Sequence, residues 1–136
     1  MGSFSNYLEG ALLQHIFSTG AGNNAMAVPD KYVALCTVTV LDTMTGTTIT
    51  EPSGGGYARV ICQTWDACAG AGATENSQAI TFPQATTSWG KITDFAICDA
   101  ATVGNMLAYG ALTVSKSVQT GDTPKFDTGD LDITLD

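Results

Sequence analysis

The spacing of apolar positions changes period once along the chain. Near the front, Tyr7, Leu8, Ala11, Leu12 and Ile16 follow Phe4 at steps of three and four, which predicts one amphipathic helix. Asn6 can cap it with Glu9 three positions on, as in a capping box, and Ser3 or Ser5 are alternative caps. Gly10 weakens the helix by up to about 1 kcal/mol relative to Ala. The stretch from Thr19 to Asn24 is expected to end it, and Pro29 with Asp30 opens the next element.

Beyond Asp30 the period is two. Apolar, β-branched and aromatic runs at 31–40, 57–65, 78–82, 91–98, 106–114, 123–126 and 131–135 alternate with clusters of Gly, Pro, Asn and Asp, and a weaker run lies at 47–50. Seven or eight short strands at this spacing predict a mainly β protein: an antiparallel β-sandwich, jelly-roll-like, or a small barrel, behind one short N-terminal α-helix. No repeat and no boundary divides the chain. The expectation is one domain over 1–136, with helix and loop in 1–22 and the sandwich in 30–136.

Alternation names the core. Leu131, Ile133 and Leu135 share one face of the last run, with Asp132 and Thr134 on the other. Phe95 and Ile97 alternate with Asp94, Ala96 and Cys98. Val33 and Leu35 face one way, but Tyr32, Ala34, Cys36, Val38 and Val40 make the opposite face apolar too. Such two-sided strands belong in the middle of a sandwich or against a partner chain.

Composition sharpens this picture in one respect. Only 13% of the 136 residues are charged, about half the ~25% of an average soluble domain. Thirteen are acidic and five basic, for a net charge of −8. The basic residues Lys31, Arg59, Lys91, Lys116 and Lys125 are scattered singly, so no footprint for a phosphate backbone exists and nucleic acid is not an expected partner. No apolar run reaches the ~18 residues of a membrane-spanning helix, and the first residues lack the basic and apolar regions of a secretory signal. Asn6 stands where a myristoylation pattern wants Ser or Thr.

Candidate chemistry is sparse. The one histidine, His15, falls on the predicted helix with no nucleophile at a telling spacing, and reads as packing or surface. Cys36, Cys62, Cys68 and Cys98 form no metal-binding spacing. Three of them lie in strand patterns, where a thiol acts as a small buried hydrophobe; a disulfide would need an oxidising environment. Asp122, Asp127, Asp130, Asp132 and Asp136 crowd the end, and 127–132 resembles a calcium loop, yet it lacks the central Gly and distal Glu of an EF-hand. The pairs Gly20 with Gly22 and Gly70 with Gly72 are turns rather than phosphate loops. No catalytic, cofactor-binding or metal residue is assigned, and no cofactor.

In order and spacing, several segments resemble a family of small tailed-bacteriophage virion proteins of tail-fibre-like type. They are 5–15 (SNYLEGALLQH), 32–35 (YVAL), 53–59 (SGGGYAR), 76–83 (NSQAITFP), 89–100 (WGKITDFAICDA), 104–110 (GNMLAYG) and 121–132 (GDTPKFDTGDLD). The cysteines and the stretch 66–68 depart from that pattern. The resemblance implies a non-enzymatic structural protein of a tailed phage, assembled in the host cytoplasm, and the acidic charge leads to the expectation that it sits on the outer surface of the virion. Within that class, the small β domain and its acidity point to a capsid decoration (cement) protein. A −8 chain is repelled from a DNA-filled lumen, and sparse charge suits a subunit packed against others. Its expected partners are the major capsid protein and copies of itself, as dimer or trimer. The alternative is a tail-fibre, adaptor or tip protein that attaches to the host, with tail proteins as partners.

Overall fold

The computed structural model describes residues 2–17, 27–68 and 72–135. Its elements in chain order are β1 (Ser3–Phe4), α1 (Asn6–Phe17), β2 (Tyr32–Cys36), β3 (Val60–Ile61), β4 (Ala73–Glu75), β5 (Ile80–Thr81), β6 (Gly90–Cys98), β7 (Met106–Val118), β8 (Lys125–Phe126) and β9 (Asp132–Thr134). The protein is mainly β, with antiparallel sheets and one short N-terminal helix, as the change of period predicts. Five strands form one sheet in the order β1-β7-β6-β2-β3, and two ribbons, β4-β9 and β5-β8, complete a sandwich-like arrangement.

The two long apolar runs, β6 and β7, sit at the centre because each can bury both of its faces. On one face Val33, Leu35, Phe95, Ile97 and Ala108 meet Ile80, Phe82, Leu131 and Ile133 from the ribbon side. On the other, Ala34, Cys36, Ala96, Cys98 and Met106 are covered by Val40 and Ile49 from the loop after β2. The two-sided strands are therefore covered within the chain itself. At about 25 cal/mol per Å² of apolar surface removed from water, this double burial is the main stabilising term.

Two irregularities break strict alternation. Cys98 pairs with Met106 and Ile97 with Ala108, so Leu107 is an extra residue on β7. Ile92 pairs with Lys116 and Asp94 with Ala111, which leaves Thr93 opposite residues 112–115. This second shift turns Ile92 and Phe95 toward the same core although they are three apart.

Several sequence expectations are corrected here. The helix is capped by Ser5, whose Oγ accepts from Leu8 N at 3.4 Å and donates to the Met106 carbonyl. No residue of α1 is buried. Leu8, Ala11 and Leu12 are half-covered, while Tyr7 and Ile16 of the expected stripe are exposed; among the described elements, β1 and β7 are the ones packed beneath the helix. The run at 31–40 stops at Cys36; the chain bends, and Val40 folds back with its N–H on Asp94 Oδ2 (3.2 Å). Residues 47–50 form a turn instead of a strand. There Thr45 N donates to Thr48 Oγ1 (2.8 Å) and Thr48 N to Thr45 O (3.0 Å), so local bonds replace a ladder. The run at 57–65 is a strand only at Val60–Ile61, since Tyr57 and Arg59 serve the loop contacts described below. Leu131 and Ile133 are buried, but Leu135 lies beyond β9 and is half exposed. The expected helix stop at 19–24, the Gly20–Gly22 pair, Gly70 and Asp136 lie outside the described residues.

Candidate functional site

The residues of types that carry chemistry are dispersed. His15 is exposed on the last turn of α1. All four cysteines are free thiols; Cys36, Cys62 and Cys98 are buried and Cys68 is exposed. Burial pushes the Cys98 thiol up to about 11, against the pull of the Arg59 cation. Burial, reinforced by the Glu51 carboxylate, pushes Cys36 up as well. Raised thiols are poor nucleophiles at neutral pH.

The C-terminal carboxylates are committed to turns. Asp122 Oδ2 accepts from Gln119 N (2.7 Å) and Asp130 Oδ2 from Asp127 N (2.7 Å), while Asp127 pairs with Lys125 at 2.7 Å on the surface. Asp132 is half-buried opposite Glu75 in the β4-β9 ribbon. Among the described residues, no group of His, Cys, Asp and Glu gathers as a metal ion would require.

The polar centre that the fold does create is at Arg59. Its side chain is 3% exposed, and all five of its N–H donors are engaged. Nε donates to Glu51 Oε1 (3.0 Å) and Nη2 to Glu51 Oε2 (2.7 Å), a two-bond fork. Nη1 donates to the carbonyls of Ala100 and Val103 (2.9 Å each), and Nη2 also to that of Gly46 (2.6 Å). Tyr57 Oη adds a donor to Glu51 Oε1 (2.6 Å) and accepts from Leu35 N (3.0 Å). One guanidinium thus pins the loop after β2, the approach to β3 and the β6–β7 loop.

The glycines ahead of it make this possible. Gly54, Gly55 and Gly56 all have positive φ. A Cβ at Gly55 would stand 2.5 Å from Thr87 Oγ1 and 2.9 Å from Trp89 Nε1, whose hydrogen goes to the Gly55 carbonyl at 2.9 Å. Tyr57 then lies edge-on to Trp89 at 5.2 Å and parallel to Phe82 at 6.5 Å. Asn76 plays a similar part at the other end: fully buried, its Nδ2 donates to the Gln78 and Asp127 carbonyls (2.8 Å each) and its Oδ1 accepts from Leu131 N (2.9 Å).

The described residues form, among other hollows, two larger clefts. One, of about 380 Å³, is bounded by α1, β7 and β9, with Phe4, Leu8, Trp65 and Leu107 in its apolar walls. The other, of about 690 Å³, lies between β7 and the segment around β8.

The family model described as Podophage GP4 fiber I protein gp80 matches residues 3–134, and the chain belongs to that family. The protein is thus of a tailed-phage virion structural family, and a virion component is what the family implies. No curated protein matches the chain. Segments 53–59 and 76–83, which carried the resemblance in sequence, hold Arg59 and Asn76. Arg59 counted in sequence only as one of five scattered cations because three of its partners are backbone carbonyls; the available signal was Glu51 eight residues before it.

Proposed function

We propose that the protein is a non-enzymatic building block of the fibre apparatus of a tailed phage, acting in several copies. The family match to a fibre protein over residues 3–134 carries this reading. Helix α1 supports the multi-copy part. Leu13, Ile16 and Phe17 are 58%, 59% and 74% exposed, on a helix whose one acidic residue is Glu9. A second copy can meet this face with little repulsion despite the net charge of −8.

A second reading keeps the protein on the outside of the head as a decoration protein bound to the major capsid protein. The acidity favours it, since a DNA-filled interior repels an anionic chain. Immunogold labelling of intact virions tests the two together: gold confined to the tail region supports the fibre reading, and gold spread over the head overturns it. Sedimentation of the purified protein tests the copies. The wild-type chain should run as an oligomer, and Leu13→Ser with Phe17→Ser as a smaller species; a monomeric wild type would reject self-association.

A further inference from the structure

The 380 Å³ cleft is a side opening of the main core. Phe4, Leu8 and Trp65 pack against that core, and Ile97, Leu107 and Ile133 line the hollow they leave. These walls belong to regular elements and their flanks, so they are set before anything enters, which spares a ligand the cost of ordering them. The volume lies within the ~300–1,000 Å³ of small-molecule sites, which are mostly apolar with a few placed polar groups. An apolar cavity of ~150 Å³ holds one benzene ring, so this cleft has room for roughly fifteen heavy atoms.

One charged side chain borders the cleft, that of Lys31, the residue before β2. It is half-buried, and its Nζ donates to the Pro29 carbonyl at 2.8 Å, which holds it at the mouth and leaves two of its three donors to a ligand. The chain has thirteen carboxylates against five cations, yet the ion pairs among the described residues use Arg59 and Lys125 and leave Lys31 out. The other polar groups of the lining are engaged within the chain. Gln63 Oε1 accepts from Lys31 N (3.3 Å) and its Nε2 donates to Asp30; Trp65 Nε1 donates to the Cys62 carbonyl (3.0 Å) and Thr74 Oγ1 to that of Asp66 (2.7 Å). A ligand rich in hydroxyls therefore finds few partners here, and a cationic one meets Lys31. What fits is a long apolar body with a single anionic head.

We propose that this cleft binds a single-chain aliphatic carboxylate, a fatty acid of about ten to fourteen carbons. The chain lies along Leu8, Leu107 and Ile133, and the carboxylate accepts from Lys31 Nζ at the mouth. Burying the chain removes its methylenes from water, the term that drives binding. The proposal goes beyond the fibre reading and does not depend on it, because one copy of the protein supplies every wall of the cleft.

The test is calorimetric titration of the purified protein with saturated carboxylates of about eight to eighteen carbons, with tryptophan emission as a second signal. Trp65 lines the cleft, whereas Trp89 is buried with its indole on the Gly55 carbonyl, so a saturable blue shift reports on Trp65. Affinity should rise roughly fourfold per buried methylene and level off once the cleft is full. Lys31→Met, which keeps the apolar stem, should weaken dodecanoate several-fold, while dodecanol, with no charge to pair, binds as it does to the wild type. Leu8→Trp, on a helix with no buried residue, should fill the cleft and abolish binding without lowering the melting temperature. No saturation up to about 1 mM, dodecyltrimethylammonium bound as tightly as dodecanoate, affinity still rising at the longest chain, or dodecanoate binding that either variant leaves intact would overturn the proposal. Association with phosphatidylcholine vesicles but not with the free acid would overturn it too.

Discussion

Arg59 and Glu51 form a two-bond fork eight residues apart, with the guanidinium 3% and the carboxylate 19% exposed. Removing one partner leaves an uncompensated buried charge, which costs about 3–5 kcal/mol. Arg59→Ala also orphans the carbonyls of Gly46, Ala100 and Val103. Against a total stability of about 5–15 kcal/mol, this variant should fold poorly or melt far below wild type. Tyr57→Phe removes the hydroxyl bond to Glu51 and the acceptor for Leu35 N, and should cost about 1–3 kcal/mol without leaving a charge unpaired. Urea unfolding of both variants gives the comparison. An Arg59→Ala protein as stable as Tyr57→Phe would show that the fork does not hold the three loops.

The same guanidinium holds a strained residue in place. Val103 has φ of +50°, a left-handed conformation that its β-branched side chain disfavours by about 1–2 kcal/mol. Its carbonyl accepts from Arg59 Nη1 and its side chain is 59% exposed, so the strain serves the hydrogen bond and no packing. Val103→Asn should therefore stabilise the protein by about 1 kcal/mol, because Asn tolerates this conformation and no core contact is lost. Thermal melting checks the sign; a lower melting temperature would mean that Val103 has packing value at this site.

The parts of the fold that were legible in sequence and the parts that were not differ for a physical reason. The run at 31–40 could be read as a two-sided strand because burial on both faces leaves a continuous apolar record, and Val33, Ala34, Leu35 and Cys36 are all buried. The two- and three-residue strands β1 and β4 leave almost none. Ser3 and Phe4 are a strand only because Tyr109 and Ala108 lie opposite, and β4 exists because β9 is there to pair with it. The apolar positions of α1 predict a helix correctly but not a buried face, since period reports only that a stripe exists, not what covers it. Arg59 was hidden for a related reason: a backbone carbonyl carries no side-chain signature. The cleft between β7 and the segment around β8 was equally invisible, because it is lined by Phe95 and Phe126, thirty-one residues apart.

Thiol chemistry separates the four cysteines. Cys68 is exposed, whereas Cys36, Cys62 and Cys98 are buried and their thiols are pushed upward, chiefly by burial. An aromatic disulfide reagent should titrate one thiol per chain at once and the other three only as the protein unfolds. The pH dependence has a defined sign. A thiol raised to about 11 in the folded protein keeps its proton there while the unfolded chain, near 9.0, releases it. The stabilisation is fully present below pH 9 and is lost as pH rises from about 9 through 11. Melting temperature should therefore fall across that window, and less steeply in Cys98→Ala. A flat profile to pH 11 would contradict the burial of these thiols.

The acidic C-terminal turn offers a last discrimination, between a cation site and a structural one. Asp122 and Asp130 each accept a backbone N–H at 2.7 Å, and Asp127 is ion-paired with Lys125. Carboxylates so engaged are separated by their turns, whereas calcium asks for six to eight oxygens converging at about 2.3–2.6 Å. Addition of millimolar calcium, or its removal with a chelator, should leave the melting temperature where it is, since a ligand stabilises only in proportion to its binding of the native state. Asp130→Ala should destabilise the protein by about 0.5–2 kcal/mol with or without calcium, the cost of losing a backbone cap. Asp130→Asn, which keeps an acceptor oxygen but not the charge, should recover most of that loss. The pair of variants tells the two origins apart: a cation site would be lost with the charge, and a turn would survive in Asn. A calcium-dependent rise in melting temperature that Asp130→Asn abolishes would reassign this turn as a metal site.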